Sequence, residues 1–334
     1  MTSDITLFVN PTTGRGRGAH AAQPAAQALR DAGFSVRTVL GHDADDALSR
    51  ARDAVDAGTG ALVAVGGDGM ISLALQAVAG TRTPLGVIAV GTGNDFARTL
   101  GLPVRDPAAA ARVTAQLLKD TGGHTMDLGR ITGRDLGSSA GQGPGSSAGR
   151  GLGQAATGGA TTRWFGTVLA SGFDSRVNDR GNRMRIPAGR FKYDLAILAE
   201  LAAFRAVPYR LTLDDGRVVE TDATLVAVGN GTSYGGGMRI CADARTDDGL
   251  LDVTVVGDCS RATLIKVFPR VYRGTHLDHP AVTTYRVRSL TLDAPDTTGY
   301  ADGEPLGPLP LTVECVPGAL HVLAPPVPPG PLPR

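Results

Sequence analysis

Three short glycine-rich turns carry the residues of this chain best suited to chemistry. The central one, Gly66-Gly67-Asp68-Gly69, follows an apolar run over 61–65 and leads into a helix-like stretch over 70–79. A buried strand that turns through glycines into a helix start presents backbone N–H groups and the positive end of a helix dipole, and both suit a phosphate. Asp68 fits beside phosphates when a metal ion or a cationic side chain shares the site. Otherwise it is a solvated turn residue. A second turn, Gly91-Thr92-Gly93-Asn94-Asp95, follows a strand pattern over 85–90. A third, over 11–18 with Gly14-Arg15-Gly16, follows a strand over 5–10 that ends in Asn10.

The elements needed to position these turns can be read from hydrophobic period. Helical spacing is expected over 19–31, 43–57, 96–100 and 106–118, with strands over 35–40 and 125–131. Alternation of strand and helix predicts a mostly parallel sheet covered on both faces, with ligands at the carboxyl ends of the strands. Residues 135–162 are Gly, Ser and Ala with scarcely an apolar side chain, and read as a flexible insertion within a hairpin. Beyond it strands dominate, over 163–172, 209–214, 217–222, 224–229, 250–256, 283–292 and 311–316, with one clear helix over 191–204. The fold class is therefore α/β: a Rossmann-like N-terminal α/β nucleotide-binding domain over 1–124 and a β-rich, sandwich-type domain over 125–317. A strand over 318–325 could return to the first domain, and 326–334 is a Pro-rich tail.

Composition narrows the function classes. A chain of 334 residues exceeds what one core usually serves, and its 42% hydrophobic content can fill two. Lys and Arg number 33 against 32 Asp and Glu and are scattered, so no nucleic-acid footprint is visible. Cys241, Cys259 and Cys315 lack metal-ligand spacing and suit a reducing cytoplasm. His276 and His279 are the one close histidine pair, beside Pro280, and a loop is the better reading than zinc. Neither a leader nor a membrane-length apolar run is present, so the expectation is a soluble cytoplasmic protein that visits a membrane surface without an anchor.

Gly66-Gly67-Asp68-Gly69 followed by Gly91-Thr92-Gly93-Asn94-Asp95-Phe96-Ala97 resembles the signature of the diacylglycerol kinase catalytic-domain family of soluble bacterial lipid kinases, which also includes sphingosine and ceramide kinases. The likeness extends to Asn10-Pro11 with Gly14-Arg15-Gly16, to Gly172-Phe173-Asp174, Tyr193, Asn230 with Gly235 to Gly237, Asp247-Asp248-Gly249-Leu250 and Asp302-Gly303-Glu304. Two positions depart from the family. Met70 stands where a small hydroxyl residue is usual, and Arg15 where Lys is common.

The resemblance implies transfer of the γ-phosphoryl group of ATP to a lipid hydroxyl. Nucleotide contacts would come from Asn10, Gly14, Arg15, Thr38, the run Gly66, Gly67, Asp68, Gly69, Met70, Ile71, Ser72 and Leu73, and from Thr92, Asn94 and Asp95. Asp68 and Asp95 could hold Mg²⁺ directly or through water. Glu304 matches the family's proposed general base, with Asp302 as its rival. Arg245, Asp248 and Leu250 match a second, structural Mg²⁺ site, in which Arg245 and Leu250 could serve only through their carbonyls.

Three other classes compete. Gly14, Gly16 and Ala19 satisfy a loose dinucleotide fingerprint, but the second strand ends in Thr38-Val39-Leu40 without the acid that an NAD-dependent oxidoreductase needs. An NAD kinase shares the Gly-Gly-Asp-Gly turn, and the stretch from Gly91 to Ala97 argues against it. A non-catalytic nucleotide-binding regulator is opposed by the intact set Asp68, Asp95 and Glu304. The expectation is an ATP- and Mg²⁺-dependent lipid kinase acting on diacylglycerol or a related lipid, without a nucleic-acid partner. A homodimer is left open.

Overall fold

The computed structural model describes residues 4–9, 17–133, 136, 161–172 and 206–326. Its first half alternates β1 (Asp4–Val9), α1 (Arg17–Asp31), β2 (Ser35–Leu40), α2 (Ala44–Asp56), β3 (Leu62–Gly66), α3 (Asp68–Val78), β4 (Leu85–Ala89), α4 (Asp95–Thr99) and α5 (Pro107–Lys119). The four strands are parallel in the order β2-β1-β3-β4. β3 and β4 are buried along their whole length, which is why they appear in the sequence as unbroken apolar runs. α2 and α3 cover one face over Phe8, Leu62 and Val87, while α1 and α5 cover the other over Leu7, Val63 and Ile88. Asp43 and Asp106 fix where α2 and α5 begin by accepting the N–H groups of Asp46 and Ala109.

The second half is built from β5 (His124–Gly133), β6 (Thr161–Phe165), β7 (Val168–Gly172), β8 (Val207–Leu213), β9 (Val218–Gly229), β10 (Leu251–Gly257), α6 (Arg261–Val271), β11 (Val282–Val287), β12 (Ser289–Asp293), β13 (Thr298–Ala301), β14 (Glu304–Pro308) and β15 (Leu311–Val322). These strands pair antiparallel around a core that includes Phe165, Tyr209, Val226, Val253, Leu290 and Val313. β15 joins the two halves. It lies antiparallel to β5 and β12, then pairs Val322 with Leu85 of β4 in parallel, and the Leu323 N–H donates to the Leu85 carbonyl at 2.8 Å.

Several element boundaries differ from the sequence reading. The single strand expected over 163–172 is two, because the N–H groups of Gly166 and Thr167 turn out of the ladder to Asp302, and a Cβ on Gly166 would lie 2.2 Å from the Phe96 ring. The strands expected over 217–222 and 224–229 are one, β9, whose first half pairs with β8 and whose second half pairs with β7 and β10. The run 283–292 breaks at Arg288, whose N–H donates to Asp214 at 2.7 Å. Segments 311–316 and 318–324 are largely one strand, with a register shift between Val316 and Leu320. β13, β14 and α6 were not expected. β5 and β6 form a hairpin with Gly133 opposite Thr161, so the first two residues of β6 fall inside the span read as insertion. The rest of that span except Leu136, the helix expected over 191–204 and the segment containing Phe173, Asp174 and Tyr193 lie outside the described residues.

Candidate active site

The turns after β3 and β4 leave neighbouring parallel strands and meet backbone to backbone. A Cβ on Gly91 would sit 2.6 Å from the Gly67 Cα, so only glycine permits the approach. Asp68 stitches the turns together. Its Oδ2 accepts the Asn94 N–H at 2.8 Å and its Oδ1 accepts the Asp95 N–H at 2.9 Å. Asn94 is fully buried in the left-handed region (φ 58°) and donates its side-chain amide to the Gly91 carbonyl. In α3 the N–H groups of Met70 and Ile71 are used by the Gly67 carbonyl, and Ser72 and Leu73 lie further inside the helix. The helix-start groups without an intrahelical acceptor are therefore those of Asp68 and Gly69. Met70 packs its side chain over Gly66, where a Cβ would lie 2.6 Å from the Met70 Cβ. Thr92 is exposed at the tip of the second turn.

Carboxylates converge on these turns. A Cβ on Gly93 would lie 2.6 Å from Asp68 Oδ2 and 3.3 Å from Asp95 Oδ2, and one on Gly69 would lie 2.8 Å from Glu304 Oε1. Glu304, the first residue of β14, thus reaches from the β-rich half to the first turn of α3. Burial holds its carboxyl above the usual range; Arg163 draws it back, and Asp302 and Asp68 push it further up. Burial likewise raises Asp95 to about 6, opposed by the Gly236 N–H that donates to its Oδ2 at 2.8 Å and reinforced by Asp68. Asp95 Oδ1 has no hydrogen-bond partner. A buried carboxylate oxygen in that condition is what a cation satisfies, so Asp95 fits a hard metal ion, with Asp68 beside it already holding an N–H on each oxygen; among the described residues no cluster of three or more ligating side chains completes such a site.

Asp302 has a different character. Its oxygens accept the N–H groups of Gly166 and Thr167, each at 2.9 Å, and the Thr167 hydroxyl. Asp302 (φ 50°) and Gly303 (φ 86°) together make the turn that aims Glu304. Burial raises the Asp302 pKa against those donors. Three further residues shape the site and escaped the sequence reading. Arg163, on β6, is the cation that acts on Glu304, and its own pKa is lowered by burial against the pull of Glu304 and Asp45. Gln76 of α3 clamps β6 by accepting the Trp164 N–H at 2.9 Å and donating to the Trp164 carbonyl at 2.8 Å. Asp127 accepts from Gly249 and Gly318 at 2.7 and 2.8 Å, while its carbonyl accepts from Asn230. An acid among the apolar residues of 125–131 was the only signal for it.

The other expected residues lie apart. Thr38 is exposed on edge strand β2, where Arg37, Leu40, Arg50 and Asp53 line a shallow cleft with it. It pairs with Leu7, two residues short of Leu40 and so roughly 7 Å back from the strand end. Asp248 Oδ1 accepts the Leu250 N–H at 3.1 Å and its Oδ2 is paired with the Arg286 guanidinium, which also lies 3.6 Å from Asp252. Arg245 pairs with Asp247. The Arg286 guanidinium thus lies beside Asp248, the one side chain among Arg245, Asp248 and Leu250 that could ligate a second cation. Asn10, Gly14 and Arg15 lie outside the described residues.

Comparison with known proteins follows the same two halves. The diacylglycerol kinase catalytic domain matches residues 4–131, and the YegS C-terminal NAD kinase beta sandwich-like domain matches residues 167–324. A diacylglycerol kinase of Mycobacterium tuberculosis is 42% identical over 321 residues, spanning 96% of this chain and 95% of its own. A diacylglycerol kinase of Staphylococcus epidermidis is 26% identical over 316 residues, spanning 93% and 88%. The crystal structure of a diacylglycerol kinase from Bacillus anthracis has a similar fold, with a TM-score of 0.67, 22% identity and 97% of each chain covered. No helix among the described residues is long and apolar enough to cross a membrane.

Proposed function

The chain belongs to the diacylglycerol kinase catalytic-domain family and is a kinase of it, and on that premise we propose that it moves the γ-phosphoryl group of ATP to the hydroxyl of diacylglycerol, yielding phosphatidic acid. The observation that supports the reading is the approach of Glu304 to Gly69, which sets a carboxylate of raised pKa beside the first turn of α3. Asp68 and Gly69 cradle the phosphates through their N–H groups, with Asn10, Gly14 and Arg15 assisting from the first turn. Thr38 is assigned to the nucleotide and Thr92 to the phosphate turn. Asp68 and Asp95 would hold Mg²⁺, which supplies charge neutralisation at the phosphates when bound.

Glu304 accepts the proton of the lipid hydroxyl as that oxygen forms its bond to the γ-phosphorus. The bond from the γ-phosphorus to the bridging oxygen breaks, and ADP leaves with that oxygen. Asp302 is the positioning residue, because its acceptor capacity is taken up by Gly166 and Thr167. A panel of dispersed lipids, with NAD as a soluble acceptor beside them, incubated with the protein and ATP labelled at the γ-phosphate tests the acceptor. Label in diacylglycerol above all other lipids supports the proposal. Label confined to another lipid, or to NAD, overturns the choice of acceptor.

A further inference from the structure

Residues 259–277, which lie between the exposed Asp258 and Asp278, contain Arg261, Lys266, Arg270 and Arg273 and no acidic residue of their own. Most of this stretch is α6, which starts at Ser260, whose hydroxyl accepts the Thr263 N–H. The helix buries Val267 and Val271 against the sheet, Val271 joining a cluster with Met238, Ile240 and Leu225. Phe268 and Tyr272 meet edge to face at 5.9 Å on the flank. The outer face is unusual in content. Ile265 is 52% exposed, the most of any large apolar side chain among the described residues. At helical spacing Arg261, Ile265 and Pro269 form one exposed stripe, and Lys266, Arg270 and Arg273 continue the neighbouring one.

This face is tied to the candidate site by a short piece of chain. The Gly236 N–H donates to Asp95 Oδ2 at 2.8 Å, and the Arg239 N–H donates to the Val271 carbonyl at 3.1 Å. The donors are three positions apart, so they lie no more than about 11 Å from one another even with the chain fully extended. His276 reinforces the joint through its ring nitrogen at the Ile240 carbonyl, 2.9 Å away.

We propose that α6 is a docking surface for a membrane that carries anionic lipid, and that docking there sets the site at the depth of the acceptor headgroup. The proposal rests on the lipid-kinase reading. Interfacial helices combine an apolar side chain that enters the headgroup layer with cations that draw anionic lipid. The four cations and absent acids of 259–277 complement a negative surface and give no advantage at a zwitterionic one.

The test is sedimentation of the whole protein, without ATP, with phosphatidylcholine vesicles that contain or lack phosphatidylglycerol. The expected result is binding to the anionic vesicles that weakens with salt and falls about fivefold for each cation removed in Lys266→Gln and Arg270→Gln. Ile265→Ser weakens binding at both salt levels. All three variants melt like the wild type and phosphorylate a short-chain, water-dispersed diacylglycerol at the wild-type rate. Equal binding to both vesicle types, or variants that bind as the wild type does, overturns the docking surface. Because sedimentation needs no turnover, a failed acceptor assay with intact α6-dependent binding overturns the acceptor reading alone.

Discussion

Glu304 must be ionised to take a proton, so its raised pKa sets an acid limb in kcat/KM above the ordinary carboxylate range, with activity rising as pH rises through it. Arg163 draws that pKa down. Arg163→Gln is therefore expected to move the limb to higher pH and Arg163→Lys to leave it near the wild-type position. An unmoved limb in Arg163→Gln would remove Arg163 from the account. Asp95 has the opposite tie to stability. Its folded pKa of about 6 exceeds the ordinary 3.8, so its favourable share is complete below about pH 4 and is lost as pH rises through about 6. Asp95→Asn is expected to melt above the wild type in metal-free protein near neutral pH, by at most roughly 3 kcal/mol in stability, and to match it near pH 4. A lower melting temperature at neutral pH would contradict the cost assigned to Asp95. Asp68 and Asp95 stand out in the sequence as acids in glycine turns, whereas Glu304 is marked only by the resemblance to the diacylglycerol kinase family. Arg163 and Gln76 were not legible, since their roles depend on β6 lying against α3, a contact that spans 88 positions between Gln76 and Trp164.

At the scale of elements, the parallel strands and their helices were legible because β3 and β4 are buried on both faces and the helices keep a 3.6-residue period. The β-rich half was less so. β9 and β15 are twelve residues each and change partners midway, and local pattern records neither event. The break between β6 and β7 is imposed by Asp302, more than a hundred positions away. Turn packing gives a prediction at this scale. Gly91→Ala forces a Cβ against the Gly67 backbone, where no side chain can yield. The expected outcome is a loss of about 1–3 kcal/mol in stability together with weaker nucleotide binding, read by thermal melts with and without ATP. A variant that melts and binds like the wild type would show that the two turns do not need their close contact.

The molecule as a whole is closed by β15. Leu320, Val322 and Leu323 are fully buried and belong to the two cores that flank the parallel sheet, although they come from the far end of the chain. A fragment that ends at residue 133 leaves those cores incomplete and is expected to lack a cooperative melt, whereas the full chain has one. A folded, cooperatively melting fragment would contradict that dependence. The same closure allows Glu304, from the β-rich half, to stand over Gly69 in the other half. The assignment of Glu304 as the general base is the central claim, and the most direct test measures nucleotide affinity and phosphoryl transfer side by side in the wild type and Glu304→Gln. The account predicts unchanged ATP affinity with transfer to lipid reduced by about 10²–10⁴. Transfer at the wild-type rate in Glu304→Gln would contradict it.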